Sequence, residues 1–171
     1  MNTAGGAPKT LKELLDFINS FKNHGPSAYD LDTIYKSAKS LACARESLHA
    51  VFSLHELLLD AVNKEGVRHP ETGTRITAAL YDRELELLQN TERSAIDLFV
   101  EGSTLLQHAC GISNPEVVLI ILEKGADPTL ASKGDDDHPG GWSPVEIVSQ
   151  SLNGTKDTRA ECISLLLADH H

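Results

Sequence analysis

Across residues 1–90 apolar side chains recur at three- and four-residue spacing, the period of a helix with one buried face. Leu11, Leu14, Leu15, Ile18 and Phe21 make the first such stripe. Thr10-Leu11-Lys12-Glu13 ahead of it has capping-box spacing, and Gly25-Pro26 supplies a stop, so the pattern predicts a helix of about four turns. A second stripe starts near Asp30 and runs through Leu31, Ile34, Tyr35, Ala38, Leu41 and Ala42. Its continuation through Leu48, Val51 and Phe52, or a break near Ala44, are both compatible with the pattern. Ser53-Leu54-His55-Glu56 has capping-box spacing too, which predicts a helix over Leu54, Leu57, Leu58, Ala61 and Val62, closed by Lys64 and Gly66. Pro70 and Gly73 predict a loop over 67–74, followed by a helix over about 75–89.

No alternating Val/Ile/Thr stretch interrupts these stripes, so a parallel sheet has no material to be built from and the predicted class is all-α. In 91–171 the pattern changes from single stripes to a repeated one. From Gly102 the chain runs GSTLLQHACGISNPEVVLIILEKGADPTLA, and from Gly141 it runs GWSPVEIVSQ, with RAECISLLL following at 159–167. The two openings align, Ser143-Pro144 falling where Thr104-Leu105 stands in the first copy.

The first of these stretches strongly resembles an ankyrin repeat over about thirty residues. Gly102, Thr104, Leu106, Ala109 and Cys110 match the family's first helix, Glu116, Val117, Val118, Ile121 and Leu122 its second, and Gly125-Ala126-Asp127 its closing turn. Leu105 and Gln107 depart from the family's Pro and His. The resemblance implies helix pairs in which Thr104 caps, Ala109 allows close packing, Gly125 turns left-handed and Asp127 braces the turn. The second copy begins 39 residues after the first, against about 33 in the family, so the connection carries the extra residues SKGDDDHPGG. The last residues, 168–171, fall about where the closing turn of that copy is expected. The expected organisation is therefore a helical region over 1–90 that caps a short ankyrin-repeat stack over 91–171, an α-solenoid with repeats at about 102–134 and 141–171. Residues 72–101 fit either a degenerate earlier repeat or one more helix.

Composition and charge narrow the function. The chain has 171 residues, 40% of them hydrophobic, enough for a soluble globular core. Its net charge of −10 is uneven: 1–90 hold 10 Lys/Arg and 12 Asp/Glu, 91–171 hold 5 and 13. Such a field repels phosphate backbones and anionic lipid, so neither nucleic acid nor membrane is an expected partner. The longest apolar run, 117–122, is too short to span a bilayer, and the opening MNTAGGAPKTLKELL lacks the layout of a signal peptide. Three widely spaced cysteines, Cys43, Cys110 and Cys162, form no disulfide framework or zinc ribbon and are expected to be buried, inert thiols. A cytoplasmic or nuclear protein is expected.

Candidate chemistry is sparse. His55-Glu56 opens like a zinc-binding H-E-x-x-H helix, but position 59 is Leu, and no metal is expected there. Asp135-Asp136-Asp137-His138 lacks the spacing of a calcium loop and suits an acidic contact surface better. Trp142, the one Trp, falls at a repeat start, and His108 and Ile112 fall where the resemblance implies a concave face. Asn153-Gly154-Thr155 spells a glycosylation sequon without a route to the secretory pathway. Phosphate-binding glycine loops and nucleophile elbows are missing. The expected function is a non-enzymatic interaction module, without cofactor, binding a protein of basic or mixed charge through Asp135, Asp136, Asp137, His138, Trp142, His108 and Ile112. The alternative is a helical region with its own activity or self-association that the repeats target, including a homodimer through the terminal repeat.

Overall fold

The computed structural model describes residues 7–21, 25–64, 69–133 and 140–168. Among them the structure is all-helical, with eight α-helices and no strand beyond an isolated antiparallel bridge between Val100 and Ser103. The chain forms two compact units, Met1–Leu87 and Leu88–His171.

In the first unit α1 covers Leu11–Asn19, α2 Ala28–Cys43, α3 Leu48–Asn63 and α4 Pro70–Gln89. Thr10 caps α1 by accepting from the Glu13 amide, and the Glu13 carboxylate reaches back to the Lys9 amide rather than to that of Thr10. The helix stops at Asn19, after nine residues, shorter than the apolar stripe predicts. Phe21 lies beyond the helix, its ring set edge-on against Phe17 with centroids 5.1 Å apart. Ser27 and Asp30 form a full capping box for α2, which ends before Ala44, so the second stripe breaks there.

Two helix starts in this unit also depart from the sequence pattern. Ser47, not Ser53, caps α3 by accepting from the Ala50 amide, and Ser53 lies within the helix. The apolar residues Leu48, Val51 and Phe52 are all buried, so their burial pulls the helix start back to the nearest earlier serine able to cap it. The segment expected as a loop after Val67 is helical from Pro70 onward, because a proline's fixed φ and missing N–H suit a first helical turn. Gly73, inside that turn, sits with the position of a side chain 3.8 Å from Leu59 Cδ2, which brings α4 close to α3. Residues 70–89 are thus one helix, followed by a short 3-10 turn at Arg93–Ala95, not a helix pair.

The first unit's core is formed by Leu14 and Ile18 of α1, Ile34, Ala38 and Ala42 of α2, Val51, Phe52, Leu54 and Leu58 of α3, and Ile76 and Leu80 of α4. Each such Leu or Ile contributes about 1.5–3 kcal/mol by leaving water.

The second unit contains α5 Leu105–Ile112, α6 Pro115–Glu123, α7 Pro144–Gln150 and α8 Lys156–Leu167. All four begin at side-chain caps: Thr104, Asn114, Ser143 and Thr155. Thr155 starts α8 three residues before the apolar stripe at 159–167 suggests. Helices α5 and α6 pack as a hairpin, as do α7 and α8, and the hairpins stack with α5 on α7 and α6 on α8. Ala109, Cys110, Val118, Ile121, Val148 and Cys162 lie fully buried between them.

Candidate functional site

The ends of these hairpins are joined by turns whose backbones bond to one another. Val100 and Ser103 exchange N–H···O bonds of 2.9 and 3.2 Å across the first turn. In the second, the Ser132 amide donates to Trp142 O at 2.8 Å and the Gly141 amide to Ser132 O at 2.7 Å. The Lys133 amide then donates to Gly102 O at 2.9 Å, tying the two turns side by side. Gly102 has φ of +87° and would place a Cβ 2.7 Å from Lys133 O, so both its conformation and the close approach require glycine.

Gln107 organises the first turn. Its Oε1 accepts from the Thr104 amide at 3.0 Å, completing a capping box, and its Nε2 donates to Leu130 O at 2.9 Å. Gln107 therefore bridges the cap of α5 and the Leu130 carbonyl from a position 2% exposed. Asp127 accepts from the amide and hydroxyl of Thr129, at 2.9 and 2.6 Å, which braces the turn after α6. The Thr129 hydroxyl, and after it the amide, hold the Asp127 carboxyl below its ordinary range. The Ser143 amide and hydroxyl do the same for Glu146, which closes the capping box of α7. Asp97 accepts from the Asp127 amide at 3.0 Å, a link between turns that spacing alone does not reveal.

Trp142 is 40% exposed on the second turn. His108 lies four residues after the cap of α5 and Ile147 four after the cap of α7, and both are partly exposed. Ile112, expected to face a partner, is 4% exposed and belongs to the core instead, since the end of α5 closes against its neighbours. Asp135, Asp136, Asp137 and His138 lie outside the described residues. Glu101, at the tip of the first turn with φ of 53°, and Lys133, whose Nζ stands 4.3 Å above the Phe99 ring, flank the exposed Val100 and Leu98.

The thiols divide differently from the expectation. Cys110 and Cys162 are buried, and burial raises both: Cys110 strongly, aided by neighbouring Cys162, and Cys162 to about 11, aided by Glu161. Cys43 is exposed, because the last residue of α2 has turned away from the apolar stripe. The sequon's Asn153 donates from its side-chain amide to Gly111 O at 2.8 Å, so that nitrogen is engaged in the fold.

A second polar group, in the first unit, escapes sequence reading altogether. His55 Nδ1 of α3 lies 2.7 Å from Glu84 Oε2 of α4, and His55 Nε2 lies 3.1 Å from Thr77 Oγ1. The carboxylate–imidazole–hydroxyl order is that of a catalytic relay, but the imidazole and carboxylate are 0% and 1% exposed. Thr77 sits inside α4, where the backbone amides are spent on the helix, so no donors are free to hold an oxyanion. The arrangement bridges α3 and α4. His55 and Glu84 are 29 residues apart and on different helices, a spacing that carries no local motif.

Among the described residues no group of three or more His, Cys, Asp or Glu could hold a metal ion, and no helix is long and apolar enough to cross a membrane. No protein-family model matches the chain, and neither a curated protein nor a solved structure matches it.

Proposed function

We propose that this chain is a protein-binding module of the ankyrin-repeat kind, acting by shape and charge rather than by catalysis. The observation that supports it best is the doubled order of capped short helix, turn and second helix, stacked like on like and joined by bonded turns. That order coincides with the residues that carry the ankyrin resemblance. A stack of this sort presents a preorganised surface, so a partner docks with little loss of conformational freedom.

The contact surface in this reading includes Trp142 and the bonded turns, the partly exposed His108 of α5 and the acidic 135–137 stretch of the sequence. The partner offers basic side chains around an apolar anchor for the indole: residues 91–171 carry a net charge of −8, which steers cations toward it. The test is capture of binding proteins from lysate by the full chain and by two variants, Trp142→Ala and the triple Asp135→Asn, Asp136→Asn, Asp137→Asn. Both variants lose the captured protein while melting like the wild type, and added salt weakens the wild-type complex. Capture that is indifferent to both variants and to salt overturns the reading.

Self-association is a second reading, favoured by Leu152 and Leu167, which are 72% and 71% exposed in the last hairpin. The charge of that half opposes it. Sedimentation at rising protein concentration separates the two, since the binding-module reading needs only a monomer.

A further inference from the structure

The buried faces of α3 and α4 do not by themselves fix how far one helix is slid along the other. On α4 the buried residues Thr72, Ile76, Leu80, Glu84 and Leu88 follow one another at every fourth position, with buried Ala79 beside that row. On α3 the buried residues Leu48, Val51, Phe52, Leu54, His55, Leu58, Leu59, Ala61 and Val62 are spread over about half the circumference. The helices run in opposite directions, His55 meeting Thr77 and Glu84 while Leu59 meets Gly73. Ridges spaced by four residues fit their grooves equally well after a slide of one turn, about 5.4 Å. Apolar contact is non-directional and scarcely separates these settings.

One feature of the rows is directional. Glu84 and His55 are the buried ionisable residues among the described residues of this unit, and each is the other's partner. The buried residues of α1, Leu14 and Ile18, and of α2, Ile34, Ser37, Ala38 and Ala42, bring no ionisable group to the interior. Glu84 Oε1 has no hydrogen-bond partner, so its whole compensation for leaving water comes through Oε2 and the imidazole. A slide of one turn parts the pair and leaves both groups buried and uncompensated.

We propose that the His55–Glu84 bond, extended by Thr77, is a register lock: it selects one longitudinal setting of α3 against α4 from several that apolar packing allows. The lock contributes specificity and not cohesion, in the way that a single polar residue sets the register of a coiled coil. Removing half of it is worse than removing all of it.

The test uses the full chain with His55→Leu, Glu84→Met, both together, and Glu84→Gln, which keeps an acceptor for Nδ1. Urea midpoints and amide spectra with hydrogen exchange are read for each. Each apolar single variant shifts the midpoint down, because a polar group stays buried without its partner. The double variant returns to the wild-type midpoint or above it, yet shows several sets of peaks, or broadened ones, for α3 and α4 and loses exchange protection there. Glu84→Gln keeps one set of peaks. A double variant with a single wild-type set of peaks and full protection overturns the proposal, since register then survives without the pair. One that fails to fold overturns it as well, because the apolar rows are required to hold the helices together unaided.

Discussion

Gln107 shows how much one buried side chain decides. It satisfies the Thr104 amide and the Leu130 carbonyl together, so Gln107→Ala strands two backbone groups at a 2% exposed position and costs about 1–3 kcal/mol, measurable as a lower urea midpoint. The cysteines give a sharper check: native protein reacts with a thiol reagent at Cys43 alone, and all three react in urea. The two shifted carboxyls make the turns of the second unit sensitive to acid. Asp127 and Glu146 both titrate below their ordinary 3.8 and 4.5 in the folded chain. Their stabilisation is therefore full above those values and disappears as pH falls through the lower folded ones. Protection of the Thr129 and Ser143 amides, measured against their intrinsic exchange rates, is expected to fall on acidification, and Glu146→Gln removes the part due to α7. Such single-residue roles were legible where partner and cap lie within a turn of each other, as at Thr104, Ser143 and Asp127. They were hidden where the partner is distant, as for Asp97 with Asp127 and His55 with Glu84, because apolar periodicity says which face is buried and nothing about which polar atoms meet there.

Among elements, the glycines of the bonded turns separate conformation from space. Gly102 and Gly141 share a positive φ, +87° and +94°, but a Cβ on Gly102 would collide with the Lys133 carbonyl while one on Gly141 meets nothing within 4 Å among the described residues. Gly141→Ala is expected to cost about 1 kcal/mol, the strain of a left-handed residue, and Gly102→Ala more than about 2 kcal/mol together with faster exchange of the Lys133 amide. Equal midpoints for the two variants would show that the link between turns contributes nothing. Helix number and helix faces followed from the sequence because caps and apolar period agree over most of the chain. The starts of α3 and α4 did not. Two serines compete to cap α3 and burial of Leu48 decides between them, whereas Pro70 can end a loop or open a helix with the same φ.

For the molecule as a whole, the two units differ in what their sequences specify. The second is written largely in local terms, each of α5 to α8 starting at a side-chain cap beside it. The first depends on long-range choices between apolar rows, and a linear pattern cannot contain them. Charge is divided along the same line, −2 against −8, so salt is expected to weaken partner binding by the full chain without lowering its melting point comparably. A practical consequence follows from where the one indole sits. Trp142 is half in water on the turn proposed to meet a partner, and the first unit has only tyrosines and phenylalanines. Light absorbed at the red edge of the aromatic band therefore excites a single fluorophore. A partner that covers it would shift its emission to the blue, so the protein carries its own unlabelled optical gauge of occupancy.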